Sequence, residues 1–241
     1  MKNTKNWKEI WGEDNERRKG NFGDKENQEE IFIELKRISG FELKEIKFMD
    51  FKNEQENIWK MLSAEKEVKS IYEAGCGSGA NLYLMEMEGY EVGGSDFSDS
   101  LIEAAKKVLK TKDILCCEAI DISVEPKYDA VISEGVFVYF PDYEYAYSTL
   151  EKMYDKANYS MAINRVFEKG KEEAYYENHR KLLGISKEEY EERYQGLKKL
   201  SYSREFFENF AKEKNMRIKF TEDGLKGFWN NEYTFSCYMY K

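Results

Sequence analysis

From residue 68 onward, short apolar runs alternate with polar-apolar stretches of helical period. Residues 68–73, 90–95, 114–119, 128–133 and 159–166 read as strands, and residues 80–88, 100–109 and 142–155 read as helices. The second of these helices opens on an expected capping box, Ser100 with Glu103. Strands that alternate with helices imply parallel strand-helix-strand units, because a parallel return needs a long crossover. Such units build a doubly wound sheet with helices on both faces.

The flanks break this rhythm. Residues 1–67 are polar and mostly helical, with Ile31, Phe32, Leu35 and Ile38 on one stripe that stops at Gly40, and Ile58, Trp59, Met61 and Leu62 on another. They read as a leader or cap beside a core at 68–166. Residues 167–202 read as a helical insertion over the carboxyl edge of the sheet, with its own capping box, Ser186 and Glu189. Residues 203–241 return to the core with a helix near 204–214 and strands at 216–220 and 233–240. Tyr233, Phe235, Cys237 and Met239 alternate with Thr234, Ser236, Tyr238 and Tyr240, which places an apolar set on one face. The two strands are close in sequence and must pair antiparallel. The expectation is one domain: an α/β, doubly wound, mostly parallel seven-stranded sheet whose last strand is antiparallel.

Composition narrows the classes. With 241 residues, 41% hydrophobic, and 15 Phe, 18 Tyr and 4 Trp, the chain can bury a substantial core. A net charge of −9 opposes binding to a phosphate backbone, so no nucleic-acid partner is expected. The four cysteines, Cys76, Cys116, Cys117 and Cys237, form no Cys-x-x-Cys pair, and His179 is the single histidine. No metal site is expected, and the thiols suit a reducing compartment. No stretch approaches the roughly 20 apolar residues of a membrane span, so the expectation is a soluble, cytoplasmic protein without a membrane partner. Nothing in the sequence speaks to the oligomeric state.

Between the first strand and its helix lies Glu73-Ala74-Gly75-Cys76-Gly77-Ser78-Gly79. Three alternate glycines allow a sharp turn and a ligand at contact distance from the backbone. The pattern Gly75-x-Gly77-x-x-Ala80 also fits dinucleotide loops. Asp96 follows the second strand, about 20 residues after Gly75, where a carboxylate accepts the ribose hydroxyls of an adenosine, which suits either cofactor. Glu73 discriminates: its charge opposes a pyrophosphate and favours the cationic methionine moiety of S-adenosylmethionine.

These residues resemble the class I S-adenosylmethionine-dependent methyltransferases, of small-molecule type. The Glu73–Gly79 run, with Gly75, Cys76, Gly77 and Gly79, resembles the first motif of that family; Gly94-Ser95-Asp96-Phe97-Ser98 resembles the second. Cys117-Glu118-Ala119 stands where the family carries Asp-Ala, with Glu118 on the adenine amino group, and the run from Tyr128 through Ser133 to Val136 resembles the fourth-strand motif. The resemblance implies S-adenosyl-L-methionine as cofactor, held by these residues, and methyl transfer to oxygen or nitrogen of a small molecule. Base methyltransferases of nucleic acids carry Asp/Asn-Pro-Pro-aromatic where this chain has Ser133-Glu134-Gly135-Val136. An NAD(P)-dependent oxidoreductase and a catalytically silent cofactor-binding relative are the alternatives.

For substrate chemistry the candidates are Glu134 and Tyr139, past the end of the fourth strand, and His179 in the insertion. Arg165, Tyr202 and Arg204 are candidates for holding an acceptor. Trp7 and Trp11 either close over the cofactor or staple the leader down. The leader and the insertion are expected to act together as a lid.

Overall fold

The computed structural model describes residues 10, 20–23, 27–41, 47–222 and 224–241; Trp7 and Trp11 lie outside the described residues. Two leader helices, α1 (Gln28–Ile38) and α2 (Phe48–Leu62), precede β1 (Ser70–Ala74), α3 (Ala80–Met87), β2 (Glu91–Asp96), α4 (Asp99–Val108), β3 (Ile114–Cys116), β4 (Tyr128–Glu134), α5 (Tyr143–Lys156) and β5 (Ala157–Phe167). The insertion contributes α6 (Glu172–Leu183) and α7 (Lys187–Arg193), and the tail contributes α8 (Arg204–Glu213), β6 (Arg217–Thr221) and β7 (Thr234–Tyr240). The sheet order is β3-β2-β1-β4-β5-β7-β6. β1 to β5 pair in parallel, and β7 enters between β5 and β6, antiparallel to both.

Strand residues alternate between the two faces. Ile71, Val92, Ala130 and Ile132 join a core with α1, α2, α3 and α4, whereas Tyr72, Val131, Ile163 and Phe235 join one with α5 and α8. The leader is therefore a covering layer of the sheet. Phe32, Leu35, Ile38, Phe51 and Leu62 are almost completely buried there, and side chains of that kind contribute roughly 1.5–3 kcal/mol each.

Three sequence expectations need correction. The capping box at Ser100 does not form: the N-cap of α4 is Ser98, whose amide donates to Asp96 Oδ1 at 2.9 Å, and the helix begins one residue earlier than expected. β3 is short because the chain turns into a 3-10 segment at Ala119–Asp121. β7 is buried on both faces, since its position between two strands also buries Ser236, Tyr238 and Tyr240, with the Tyr240 hydroxyl donating to Met61 O at 2.9 Å. The side-chain caps at α7 and α5 form because the capping residue stands at the helix boundary. Ser186 and Glu189 exchange bonds of 3.1 and 2.8 Å at α7, and Asp142 accepts from Tyr145 N at 2.8 Å at α5.

Candidate active site

The loop from β1 to α3 runs through three left-handed residues, Gly75 (φ +82°), Gly77 (+54°) and Gly79 (+78°). At Gly75 the requirement is also steric, since a Cβ would stand 2.4 Å from Val136 Cγ2. The amides of Gly75 and Cys76 donate to Ser95 O at 2.7 and 2.8 Å, which ties the loop to the end of β2. Gly77 N donates to Asp96 Oδ2 at 2.9 Å. Asp96 thus shapes the loop while lining the cavity beside it. Its two oxygens each accept a backbone amide, and a carboxylate oxygen can accept a second bond as well.

Behind the loop lies a buried charged cluster centred on Asn81, in the first turn of α3. The Asn81 amide donates to Glu73 Oε1 at 2.8 Å and to Glu134 Oε2 at 3.2 Å, and its oxygen accepts from Lys36 Nζ at 2.9 Å. Gln55 donates to Glu134 Oε2 at 3.0 Å, and Arg165 bridges Glu134 Oε1 at 3.3 Å and Glu54 Oε2 at 2.6 Å. Arg165 reaches them from a bulge of β5, where its own φ is +56° and the register against β7 shifts. The cations set the protonation states. Burial alone would raise the Glu134 carboxyl, but Arg165 and Lys36 hold it below its ordinary value. Glu73 has weaker compensation: burial, reinforced by Glu134, pushes it up to about 8. Burial lowers Lys36. Among the described residues, Glu73 Oε2 is buried with no hydrogen-bond partner. In the empty site this carboxyl holds its proton at neutral pH, and a cationic ligand group beside it would favour the ionised form.

Loop and cluster form one end of a cavity of about 960 Å³. The α6–α7 insertion and residues 228–230 form the other end, which is aromatic: His179 stacks on Trp229 at 5.2 Å and 8°. His179 Nδ1 is 2.7 Å from the Tyr190 hydroxyl. Burial, then Lys199 and Arg193, keep this imidazole below its usual value and so neutral at pH 7.

The structure brings most of the expected residues together. Glu73, Gly75, Cys76, Gly77, Asp96, Phe97, Glu118, Ala119, Glu134, Tyr139, Arg165 and His179 all line the cavity. The others serve different ends. Gly79 is the N-cap of α3, packed close to Leu109, and Ser133 donates to Ala74 O at 2.9 Å. Tyr202 is fully buried, donating to Phe137 O at 2.8 Å, and Arg204 pairs with Glu168 and Glu222 away from the cavity. Glu134 and Arg165 hold each other, which leaves Glu134 a poor proton acceptor and Arg165 already committed to two carboxylates. Sequence reasoning missed Lys36, Glu54, Gln55, Asn81 and Trp229. Asn81, two residues past the glycine run, was the one with a local signal.

Residues 72–157 match a family model described as a methyltransferase domain. Over that stretch, about a third of the chain, the sequence is similar to methyltransferase domains. The match takes in the glycine loop, Asp96, Glu118 and Glu134. Solved structures share the fold. The magnesium protoporphyrin IX methyltransferase of Synechocystis PCC 6803 with bound S-adenosylhomocysteine superposes with a TM-score of 0.55 at 15% identity, over 80% of this chain and 84% of that one. The plantazolicin methyltransferase, in complex with a triazolic desmethyl analogue and S-adenosylhomocysteine, does so at 0.57 and 16%, over 88% and 90%. No curated protein matches the sequence. No helix among the described residues is long and apolar enough to cross a membrane, and no group of three or more His, Cys, Asp or Glu there could hold a metal ion.

Proposed function

We propose that this protein transfers the methyl group of S-adenosylmethionine to an oxygen or nitrogen of a small molecule held in the cavity. The observation that carries this reading is the unpartnered Glu73 oxygen, buried beside a loop too tight for side chains. Beside a bound cation that carboxyl ionises, which suits a cationic methionine moiety, whereas a pyrophosphate would meet no positive partner there. Asp96 would hold the ribose hydroxyls, Glu118 the adenine amino group, and Lys36 the amino-acid carboxylate. When bound, the cofactor supplies an electrophilic methyl on a sulfonium, so displacement needs alignment and exclusion of water more than acid-base assistance. The insertion supplies the exclusion. Tyr139 and His179 face the space beyond the cofactor residues, and a neutral His179 is able to take an acceptor proton.

The site residues follow the order of the motifs, and the whole chain is read as one unit: the leader lines the cavity through Lys36, Ser39, Gly40 and Phe41, and the insertion closes it. The charge of −9 and four free thiols support a cytoplasmic protein that does not bind nucleic acid. Calorimetric titration is the test. S-adenosylhomocysteine should bind in the micromolar range, whereas binding of NADH with none of S-adenosylhomocysteine would refute the reading in favour of a nicotinamide enzyme.

A further inference from the structure

The lid end of the cavity offers hydroxyls rather than free charges. Among the described residues, the charged side chains that line the cavity beyond the cofactor residues are engaged: Glu134 and Arg165 hold each other, Lys199 lies 4.5 Å from the Tyr139 ring centroid, and Lys198 has contacts of its own. The unmet groups there are neutral. Tyr175 and Tyr194 line the cavity, and neither hydroxyl has a hydrogen-bond partner among the described residues, although Tyr175 is only 5% exposed. Burial, reinforced by the nearby hydroxyls of Tyr139, Tyr190, Tyr176 and Tyr194, raises the Tyr175 phenol above its ordinary value, so it keeps its proton. Asn230, also in the lining, has a buried Oδ1 with no hydrogen-bond partner among the described residues.

Together these groups suit a ligand that both accepts and donates hydrogen bonds. A phenol O–H needs an acceptor, and an amide oxygen needs a donor. An anion could only accept and an ammonium ion could only donate, and either would lose its hydration where the counter-charges are already committed. A hydroxyl does both without charge. We infer that the methyl acceptor is a neutral polyol such as a sugar, with hydroxyls bound by Tyr175, Tyr194 and Asn230 and another one methylated on oxygen. In that step the hydroxyl oxygen bonds to the methyl carbon as the carbon–sulfur bond breaks, the electron pair of that bond stays on sulfur, and the hydroxyl proton passes to the neutral His179. This rests on the methyl-transfer reading and deepens it by naming the acceptor class and the acceptor atom.

The test uses the full chain, S-adenosylmethionine and sugars of one ring size. The neutral probes are the methyl glycosides of glucose, galactose and mannose; the charged ones are glucuronate and glucosamine. Products are read by mass spectrometry and the site of methylation by NMR. At least one neutral glycoside should be methylated on oxygen, with kcat/KM about tenfold or more above both charged sugars. Replacing two phenols (Tyr175→Phe with Tyr194→Phe) should raise KM for that glycoside by about tenfold, the worth of one or two neutral hydrogen bonds, while S-adenosylhomocysteine affinity stays unchanged. The inference is overturned if a charged sugar is the better acceptor, if no neutral glycoside is methylated, or if the double variant keeps the wild-type KM. Failure of S-adenosylhomocysteine to bind, measured before any sugar is added, would instead overturn the methyl-transfer reading beneath it.

Discussion

The two ends of the cavity are built on opposite principles. At the loop end, the chemistry is held by a hydrogen-bonded network: Asn81 uses both donors and its oxygen to connect Lys36, Glu73 and Glu134, and Arg165 ties in Glu54. At the lid end, side chains meet through ring faces, and the polar contacts are few, such as His179 to Tyr190. A directional network tolerates little change, because removing one member strands buried charges. Ring packing is non-directional and adapts to different shapes. The contrast suits a fixed cofactor at one end and acceptor selection at the other.

The sharpest way to break the comparison is Gly75→Val, whose side chain would collide with Val136 in a backbone conformation with φ +82°. S-adenosylhomocysteine binding should fall below calorimetric detection while the circular dichroism spectrum is kept; normal binding would make the loop a mere turn. Next comes Asn81→Leu, which leaves Glu73, Glu134 and Lys36 without their common partner. A destabilisation of about 3–5 kcal/mol is expected in urea unfolding, the size seen when a buried charge loses its partner. Asp96→Ala should weaken S-adenosylmethionine binding by about 1.5–3 kcal/mol, the usual worth of charged hydrogen bonds.

A smaller effect, opposite in sign, is expected of Glu73→Gln. Unfolded, this carboxyl titrates near 4.5; folded, it titrates near 8. Between those values the folded state holds a proton that the unfolded state has released, so this group makes stability fall as pH rises through the window. Above it the whole penalty is present. Glu73→Gln should therefore raise the apoprotein melting temperature more at pH 8.5 than at pH 5, while weakening cofactor binding. A melting difference that does not change with pH would count against the unmet carboxylate. The smallest effect on cofactor binding belongs to the lid: His179→Ala should leave S-adenosylhomocysteine affinity unchanged and lower turnover of an acceptor whose proton must be removed. Equal loss at both ends would erase the distinction.

Much of the fold was legible because the alternation of apolar runs and amphipathic stripes is a local property. The five parallel strands, the glycine loop, Asp96 and the capping box at Ser186 all follow from near neighbours in the chain. The errors have a common cause. The face of β7 that carries Ser236, Tyr238 and Tyr240 was read as the less apolar one, yet strands on both sides and the leader helices bury it. Lys36 looks like an ordinary solvated lysine on a polar helix, but α1 packs against the glycine loop, where Ser39 Oγ lies 2.7 Å from Ser78 Oγ, and that contact carries Lys36 into the site. Tyr202 and Arg204 had plausible chemistry and the wrong position, because a strand-edge or post-loop location does not say which way a side chain faces.

By itself the sequence determined the order of elements, the parallel topology they require, and a tight ligand loop with a carboxylate on either side. These depend on periodicity, glycine conformational freedom and crossover length, all of which act over short spans of chain. Only the tertiary structure decided that the leader is part of the core and that Glu134 and Arg165 neutralise each other. It also decided that Glu73 is left with an unmet oxygen, and that Lys198 and Lys199 share a chamber with Trp229. Burial and electrostatic coupling belong to groups brought together from distant positions, here residues 36, 54, 81, 134 and 165, and that proximity is a consequence of packing rather than of any local pattern.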